Sequence, residues 1–397
     1  MKELFILLLL LALWIVIDLN LGRIQHKKQH KRKSYPVRES SITLFTSGPE
    51  LFEDYFAQLK QAKSHIHVLF YILKHDAISI DFLSILKEKA NEGVEVRLML
   101  DWVGSLKSKR QIKKFLQYSG VELSFSQVPT FPFFFYSLQA RNHRKITVID
   151  GKVGYLGGFN VGKEYINLDK KLSPWRDYHL KIQGEGVQDL QEVFLQDWQL
   201  AAKVRLQYRE PYFPTLEKGP YLQRVIPSEG IYLEQTFSKL IRQAKKSILI
   251  GTPYFIPGKL VFADLQAALK RGVKLEILVP GTADHPLVKE ASYPYFRTLI
   301  PSGATVFQFQ KGFYHAKILM IDDQICDIGT ANFDKRSFYL NQEINCYTYD
   351  QNYIGETLEI LRYDQSHAKQ MSLKDIQSIN PWAVFKEYTA RALSLFL

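Results

Sequence analysis

The residues able to do chemistry come in two matching sets. His143, Lys145 and Asp150 follow a His-x-Lys-x4-Asp spacing, and so do His315, Lys317 and Asp322. Each set is trailed at the same offsets by a small-residue turn, Gly157-Gly158 or Gly329-Thr330, and by an asparagine, Asn160 or Asn332. The core spacing arises by chance at roughly one position in ten thousand, so two copies with the same trailing residues point to one site built from both. Two imidazoles, two ammoniums and two amides suit a phosphodiester. One neutral imidazole can attack phosphorus while the other, protonated, gives its proton to the leaving oxygen, because histidine titrates near neutrality. Lys145, Lys317, Asn160 and Asn332 then stabilise charge on the non-bridging oxygens, a role filled elsewhere by a metal, so the scheme needs no divalent ion and no cofactor. The turns at Gly158 and Thr330 let backbone N–H groups approach phosphate.

Each imidazole also needs a group on its second nitrogen to fix its tautomer. Asp177, in Pro-Trp-Arg-Asp-Tyr-His, follows His143, and Glu343, in Asn-Gln-Glu-Ile-Asn, follows His315. Taking each acid with the histidine it follows gives two His–acid dyads, one in each half. On spacing alone, surface salt bridges account for these acids equally well. Asp150 and Asp322 stand at strand ends, placed to hold the loop and the lysine rather than to touch substrate.

The elements that must carry these groups are also duplicated. Residues 145–149 and 317–321 read as buried strands, and alternation puts His143 with Lys145, and His315 with Lys317, on one face. Upstream, the pattern predicts a helix over 51–63, a strand over 65–72, a helix over 78–91 and a strand over 94–100. A second pass starts at Ile231: Gln-Ala-Lys recurs at 61–63 and 243–245, and Gly-Val at 93–94 and 272–273. The chain is therefore α/β, with two similar halves over 41–215 and 216–378 related by a pseudo-twofold axis.

With 397 residues, two domains or a duplicated one is the expected size class. A net charge of +12 favours an anionic partner, phospholipid or nucleic acid. Seven Lys or Arg residues and no acid lie between Arg23 and Arg38, so the remainder is only mildly basic. Ahead of that run, Leu4 to Ile17 is unbroken apolar sequence, followed by Asp18 and Asn20. No small-x-small cleavage site follows, which predicts an uncleaved membrane anchor over 1–22, a basic juxtamembrane linker over 23–40 and a cytoplasmic body. The basic run is attracted to anionic headgroups. Phe131–Tyr136 reads as an apolar entrance or membrane-facing rim, and 379–397 as an amphipathic segment that packs on the body or lies on lipid. His65 and His67 lack a third ligand, so no metal is expected. Cys326 and Cys346 show no metal or disulfide spacing and read as buried thiols.

The paired motifs resemble the phospholipase D superfamily and, within it, the membrane-bound bacterial cardiolipin synthases. Asn-His-Arg-Lys at 142–145, Gly-Gly-Phe-Asn at 157–160, Trp-Arg-Asp at 175–177, Thr-Pro-Tyr-Phe-Ile-Pro at 252–257 and Gly-Thr-Ala-Asn-Phe-Asp-x-Arg-Ser at 329–337 carry the likeness, which runs from about residue 40 to the end. It implies two α/β sandwich halves, His143 as nucleophile, His315 as general acid and base, and Asp177 and Glu343 as histidine-orienting acids. It also implies a reaction that joins two phosphatidylglycerols with release of glycerol, phosphatidylglycerol and anionic membrane lipids being the partners and nucleic acid not expected. One departure is Gly158, where many superfamily members carry Ser or Thr, so one half lacks a hydroxyl. The alternatives are a hydrolase or another phosphatidyltransferase, a metal-independent nuclease, and a non-enzymatic lipid-binding protein.

Overall fold

A computed structural model describes residues 1–206, 210–377 and 381–395. The first half contributes strands β1 (Arg38–Ser47), β2 (His65–Phe70), β3 (Glu95–Asp101), β4 (Glu122–Ser126), β5 (Ile146–Ile149), β6 (Val153–Gly157) and β7 (Trp175–Gly184). The second contributes β8 (Tyr221–Glu229), β9 (Ser247–Gly251), β10 (Lys274–Pro280), β11 (Thr305–Phe309), β12 (Phe313–Tyr314), β13 (Ile318–Ile321), β14 (Ile325–Gly329), β15 (Gln342–Thr348) and β16 (Ala368–Gln370). In space the first set runs β1-β7-β6-β5-β2-β3-β4 and the second runs β8-β15-β14-β13-β9-β10-β11, the same order. β1 pairs antiparallel with β8, so the two runs fuse into one sheet with the pseudo-twofold at that seam.

Helices cover both faces of this sheet. Gly186–Ala202 and Gln351–Ser366 bury Leu190, Phe194, Ile354 and Leu361 in a core that draws strand residues from both halves. On the other face Gly48–Gln61 and Ala77–Asn91 pack on the first half, and Leu233–Gln243 and Lys259–Lys270 on the second. Strands buried on both faces favour apolar or β-branched residues at every position, which is why β5 and β13 read as continuous rather than alternating runs. His65 and His67 on β2 share the side chain of Gln191, and the His67 ring stacks on Phe194 at 4.7 Å, so both are core residues. Cys326 and Cys346 are buried free thiols.

The N-terminal helix α1 spans Lys2–Gln29 and is long and apolar enough to cross a membrane. It runs past residue 22, so the first part of the basic segment is helical rather than linker. Two polar residues that interrupt the apolar run are accommodated without breaking the helix. Asn20 Nδ2 donates to Val16 O at 2.7 Å, and Asp18 Oδ1 accepts from Tyr136 N at 2.8 Å. Tyr136 belongs to a short helix, Phe134–Gln139, that packs across α1. Gly22 is required at the crossing, because a Cβ there would stand 2.5 Å from Tyr136 Cβ. Trp14 meets Phe135 edge-to-face at 5.0 Å. The 131–136 segment thus seats α1, with Phe131 exposed beside it. The basic stretch is docked as well: Arg32 donates to Thr236 Oγ1 at 3.2 Å and Lys33 to Gln196 Oε1 at 2.5 Å. The C-terminal helix Pro381–Ala392 packs on Val288–Leu299 through Ala390 and an Arg297–Glu387 ion pair, leaving Trp382, Phe385 and Tyr388 exposed.

Candidate active site

The two histidines reach the cleft from segments that leave their own half. Just before β5, Asn142 bridges to Gln342 of the second half; His143 N donates to Gln342 O at 2.9 Å, and Gln342 N donates to Arg141 O at 2.8 Å. Just before β13, the two-residue strand β12 pairs in parallel with β7 of the first half, and His315 N donates to Arg176 O at 2.7 Å. Each histidine is therefore laid beside the acid of the opposite half, Glu343 next to Gln342 and Asp177 next to Arg176.

That geometry corrects the pairing expected from sequence order. His143 Nδ1 lies 2.9 and 3.1 Å from the Glu343 carboxylate oxygens, and His315 Nδ1 lies 2.5 Å from Asp177 Oδ2. An ionised carboxylate only accepts, so each contact favours the proton on Nδ1 and the lone pair on Nε2, which in His315 also lies 3.3 Å from Lys317 Nζ. Burial opposes ionisation of both acids. His143 and Lys145 outweigh it at Glu343, as Lys317 and His315 do at Asp177, and both carboxyls fall below their ordinary values. Burial lowers the His143 imidazole, against the pull of Glu343, and lowers His315 to about 4 with help from Lys317. Burial thus disfavours the charged form of both imidazoles.

The dyads are not equally braced. Thr330 Oγ1 donates to Glu343 Oε2 at 2.6 Å and Ser337 Oγ to Oε1 at 2.9 Å. Thr330 is fully buried and backs the acid, so its hydroxyl is not the phosphate contact expected of it. The matching Gly158 leaves Asp177 without such a hydroxyl; a Cβ there would lie 2.0 Å from Asp177 Oδ1. Its N–H is also spent, donating to Tyr178 O at 2.9 Å rather than facing a phosphate. Asp177 is held instead by Tyr178 N at 2.8 Å and by Lys317 Nζ at 3.6 Å. Gly158→Ala is expected to push Asp177 off His315 and slow turnover by about 10- to 100-fold, read from initial rates, while circular dichroism stays unchanged.

The lysines lie beside the histidines and are wholly buried. Lys145 Nζ donates to His143 O at 2.7 Å, and Lys317 Nζ sits 2.6 Å from His315 Nδ1. Burial lowers Lys145 to about 7, against Glu343, and Lys317 to about 8, against Asp177. A lysine with a depressed value loses its charge as pH rises through that value. The rate constant kcat/KM is therefore expected to fall between pH 7 and pH 9, and a flat profile there would refute a charge role for these lysines. Asp150 and Asp322, expected to steady the loop and the lysine, do only the first. Asp150 accepts from the backbone N–H groups of Lys63, Ser64 and His65, and Asp322 from those of Lys245, Lys246 and Ser247, at 2.7–3.0 Å. Four strand residues, five steps along the chain, separate each from its lysine, roughly 16 Å, so neither joins the catalytic groups.

His143, His315, Asn160 and Asn332 line one cleft of about 420 Å³. Asn160 is held by Ile72 N at 3.2 Å and Tyr165 OH at 3.1 Å, whereas the Asn332 amide oxygen is buried without a partner. Tyr71, Trp175, Tyr254 and Arg336 also line it, with Asp284 and His285 among others, and the motif spacing assigns them no role. A signal was present: Tyr71 follows β2 and Tyr254 follows β9, at the carboxyl ends of equivalent strands, where open α/β sheets bind ligands. Tyr71 touches the His143 ring at 5.0 Å and Trp175 the His315 ring at 4.8 Å.

Arg144 was also passed over. Fully buried behind His143, it donates to Asp197 of the first half at 2.6 and 2.7 Å and to Glu229 of the second at 2.7 Å. Its Nε donates to Glu343 O at 3.1 Å. Arg144→Met leaves two carboxylates unpaired in the seam, an expected cost of about 3–5 kcal/mol, seen as a thermal midpoint lowered by about 5–10 °C.

The family described as cardiolipin synthase, phospholipase D-like domain, matches residues 55–198 and 237–364, once in each half. A minor cardiolipin synthase of Bacillus subtilis is 37% identical over 400 residues, covering 100% of both chains. A cardiolipin synthase of Oceanobacillus iheyensis is 36% identical over 365 residues, 90% of this chain and 75% of that one. Among solved structures, a phosphatidylserine synthase of Haemophilus influenzae superposes with a TM-score of 0.74 at 15% identity, covering 94% of this chain and 99% of that one, a likeness of fold.

Proposed function

Because this chain belongs to the cardiolipin synthase family of phospholipase D-like proteins, we propose that its two dyads transfer a phosphatidyl group from one phosphatidylglycerol to another through a phosphohistidine at His143. The observation that carries this reading is the pair of imidazoles on one cleft, each with Nδ1 committed to a carboxylate and Nε2 left for chemistry. His143 Nε2 attacks phosphorus, the bond from phosphorus to the glycerol oxygen breaks, and His315 Nε2–H protonates that oxygen. His315 then takes the hydroxyl proton of the second phosphatidylglycerol, whose oxygen displaces His143 from phosphorus. Cardiolipin and glycerol are the products. Burial disfavours the His315 imidazolium, but the negative phosphodiester favours it, so substrate binding supplies the protonated acid. The bracing of Glu343 by Thr330 and Ser337 favours His143 as attacker, since a nucleophile needs a fixed tautomer more than a proton carrier does. Lys145, Lys317, Asn160 and Asn332 are assigned to the phosphate oxygens.

Lipid is preferred to water as acceptor because α1 and the exposed Phe131 keep the cleft beside the bilayer. Incubation with phosphatidylglycerol vesicles is expected to yield cardiolipin and glycerol in equal amounts; phosphatidic acid without cardiolipin would sink the synthase reading. The basic residues after α1 place the body on the cytoplasmic side. Protease added to intact spheroplasts should therefore leave it uncut, and digestion from outside reverses that topology.

A further inference from the structure

A second cavity, of about 430 Å³, opens where α1 leaves its apolar run. Its wall carries four cations, Arg23 and Lys27 from α1 and Lys259 and Lys335 from the body. Arg23 stands 4.6 Å from the centroid of the Tyr339 ring. Lys335 Nζ donates to Ser394 Oγ at 2.7 Å. Among the described residues none of the four forms an ion pair. The lining's acid, Glu234, is already engaged, accepting from Leu260 N at 3.0 Å and from the Tyr339 hydroxyl. Four cations against one carboxylate leave an excess of three positive charges. Burial and the neighbouring Lys259 and Arg391 hold the Lys335 ammonium below its ordinary value, the mark of like charges gathered without a counter-ion.

Position fits the chemistry. Arg23 and Lys27 lie five and nine residues beyond Asp18, about 7 and 14 Å further along the helix axis, at the depth of lipid headgroups. Basic pockets beside membrane helices at this depth bind phosphate headgroups. One short helix, Lys335–Tyr339, separates the two cavities: Arg336 faces the catalytic cleft, and Lys335 and Tyr339 face the basic one.

We propose that this cavity is a second lipid site, binding the phosphate of an anionic phospholipid independently of the catalytic cleft. The test uses full-length His143→Ala protein in phosphatidylcholine nanodiscs, so its outcome does not depend on turnover. Phosphatidylglycerol carrying a photoactivatable headgroup is added, and labelling of the tryptic peptide 225–239, which includes Tyr232 at the cavity, is followed to saturation. At about fivefold in affinity per cation, Lys27→Ala with Lys259→Ala should weaken labelling by about 25-fold. The Lys→Arg pair at the same positions should retain it, and Lys28→Ala with Lys31→Ala, outside the cavity, should change it less than about twofold. Unchanged labelling in the first pair, or equal loss in the Lys28/Lys31 pair, overturns the site. Equal labelling by the corresponding phosphatidylcholine probe overturns it as well. Displacement by millimolar glycerol 3-phosphate assigns the cavity to soluble phosphates and overturns the lipid proposal.

Discussion

His143→Ala is expected to abolish cardiolipin formation, lowering turnover by at least about a thousandfold, and to remove any phosphatidyl adduct from the protein. His315 has its Nδ1 on Asp177 and stands across the cleft as proton carrier, and the neighbouring lysines are turned to backbone carbonyls. Rapid quenching with radiolabelled phosphatidylglycerol, followed by peptide mapping, reads both effects in one experiment. His315→Ala should differ in kind: His143 can still take up label, but both its labelling and its release slow by about 10²–10⁴-fold, the usual worth of a positioned acid and base, because His315 protonates glycerol in the first step and deprotonates the acceptor in the second. Normal cardiolipin output from either variant, or label that survives His143→Ala, would remove the assignment.

Exchanging the supporting acids for amides tests the crossed dyads. Glu343→Gln should act like loss of His143 function and block adduct formation, because an amide that donates to Nδ1 favours the wrong tautomer. Asp177→Asn should act like loss of His315 and slow both formation and release of the adduct without abolishing it. A comparable tautomer defect costs about 10⁴-fold in serine proteases, and about 10²–10⁴-fold is expected here. Double variants carry the sharper signal. His143→Ala with Glu343→Gln should be no slower than His143→Ala alone, since both act on one step. If that non-additivity appears instead between His143 and Asp177, the dyads close within each half and the geometry described above is wrong.

The sequence carried the duplicated order of strands, the histidines, lysines and acids that the fold brings together, and the long apolar N-terminal helix. These are local signals: spacing, burial on both faces and an uninterrupted apolar run. Which acid serves which histidine was not local. It depends on Asn142 bridging to Gln342 and on Phe313-Tyr314 pairing with Trp175-Arg176, contacts between segments roughly two hundred and one hundred and forty residues apart. The direction of the Thr330 hydroxyl was hidden for the same reason, since Glu343 reaches it only when β14 pairs with β15. The motif aspartates misled in a simpler way. Their place in the spacing suggested a hold on the lysine as well as on the loop, but a strand advances about 3.3 Å per residue, and four extended residues carry Asp150 and Asp322 to the opposite end of the strands. Arg144 was legible only as a charge, and its work is to bind the seam.

Because each histidine depends on an acid from the other half, a single half could complete such a site only by pairing with a copy of itself across a twofold axis. In that homodimer both sites would be identical, and any substitution at the position of Gly158 would appear at that of Thr330 too. Joining two copies in one chain removes the constraint. Glycine on one side and threonine on the other then become separately selectable, and two equivalent histidines are free to specialise, one to attack and the other to carry the proton.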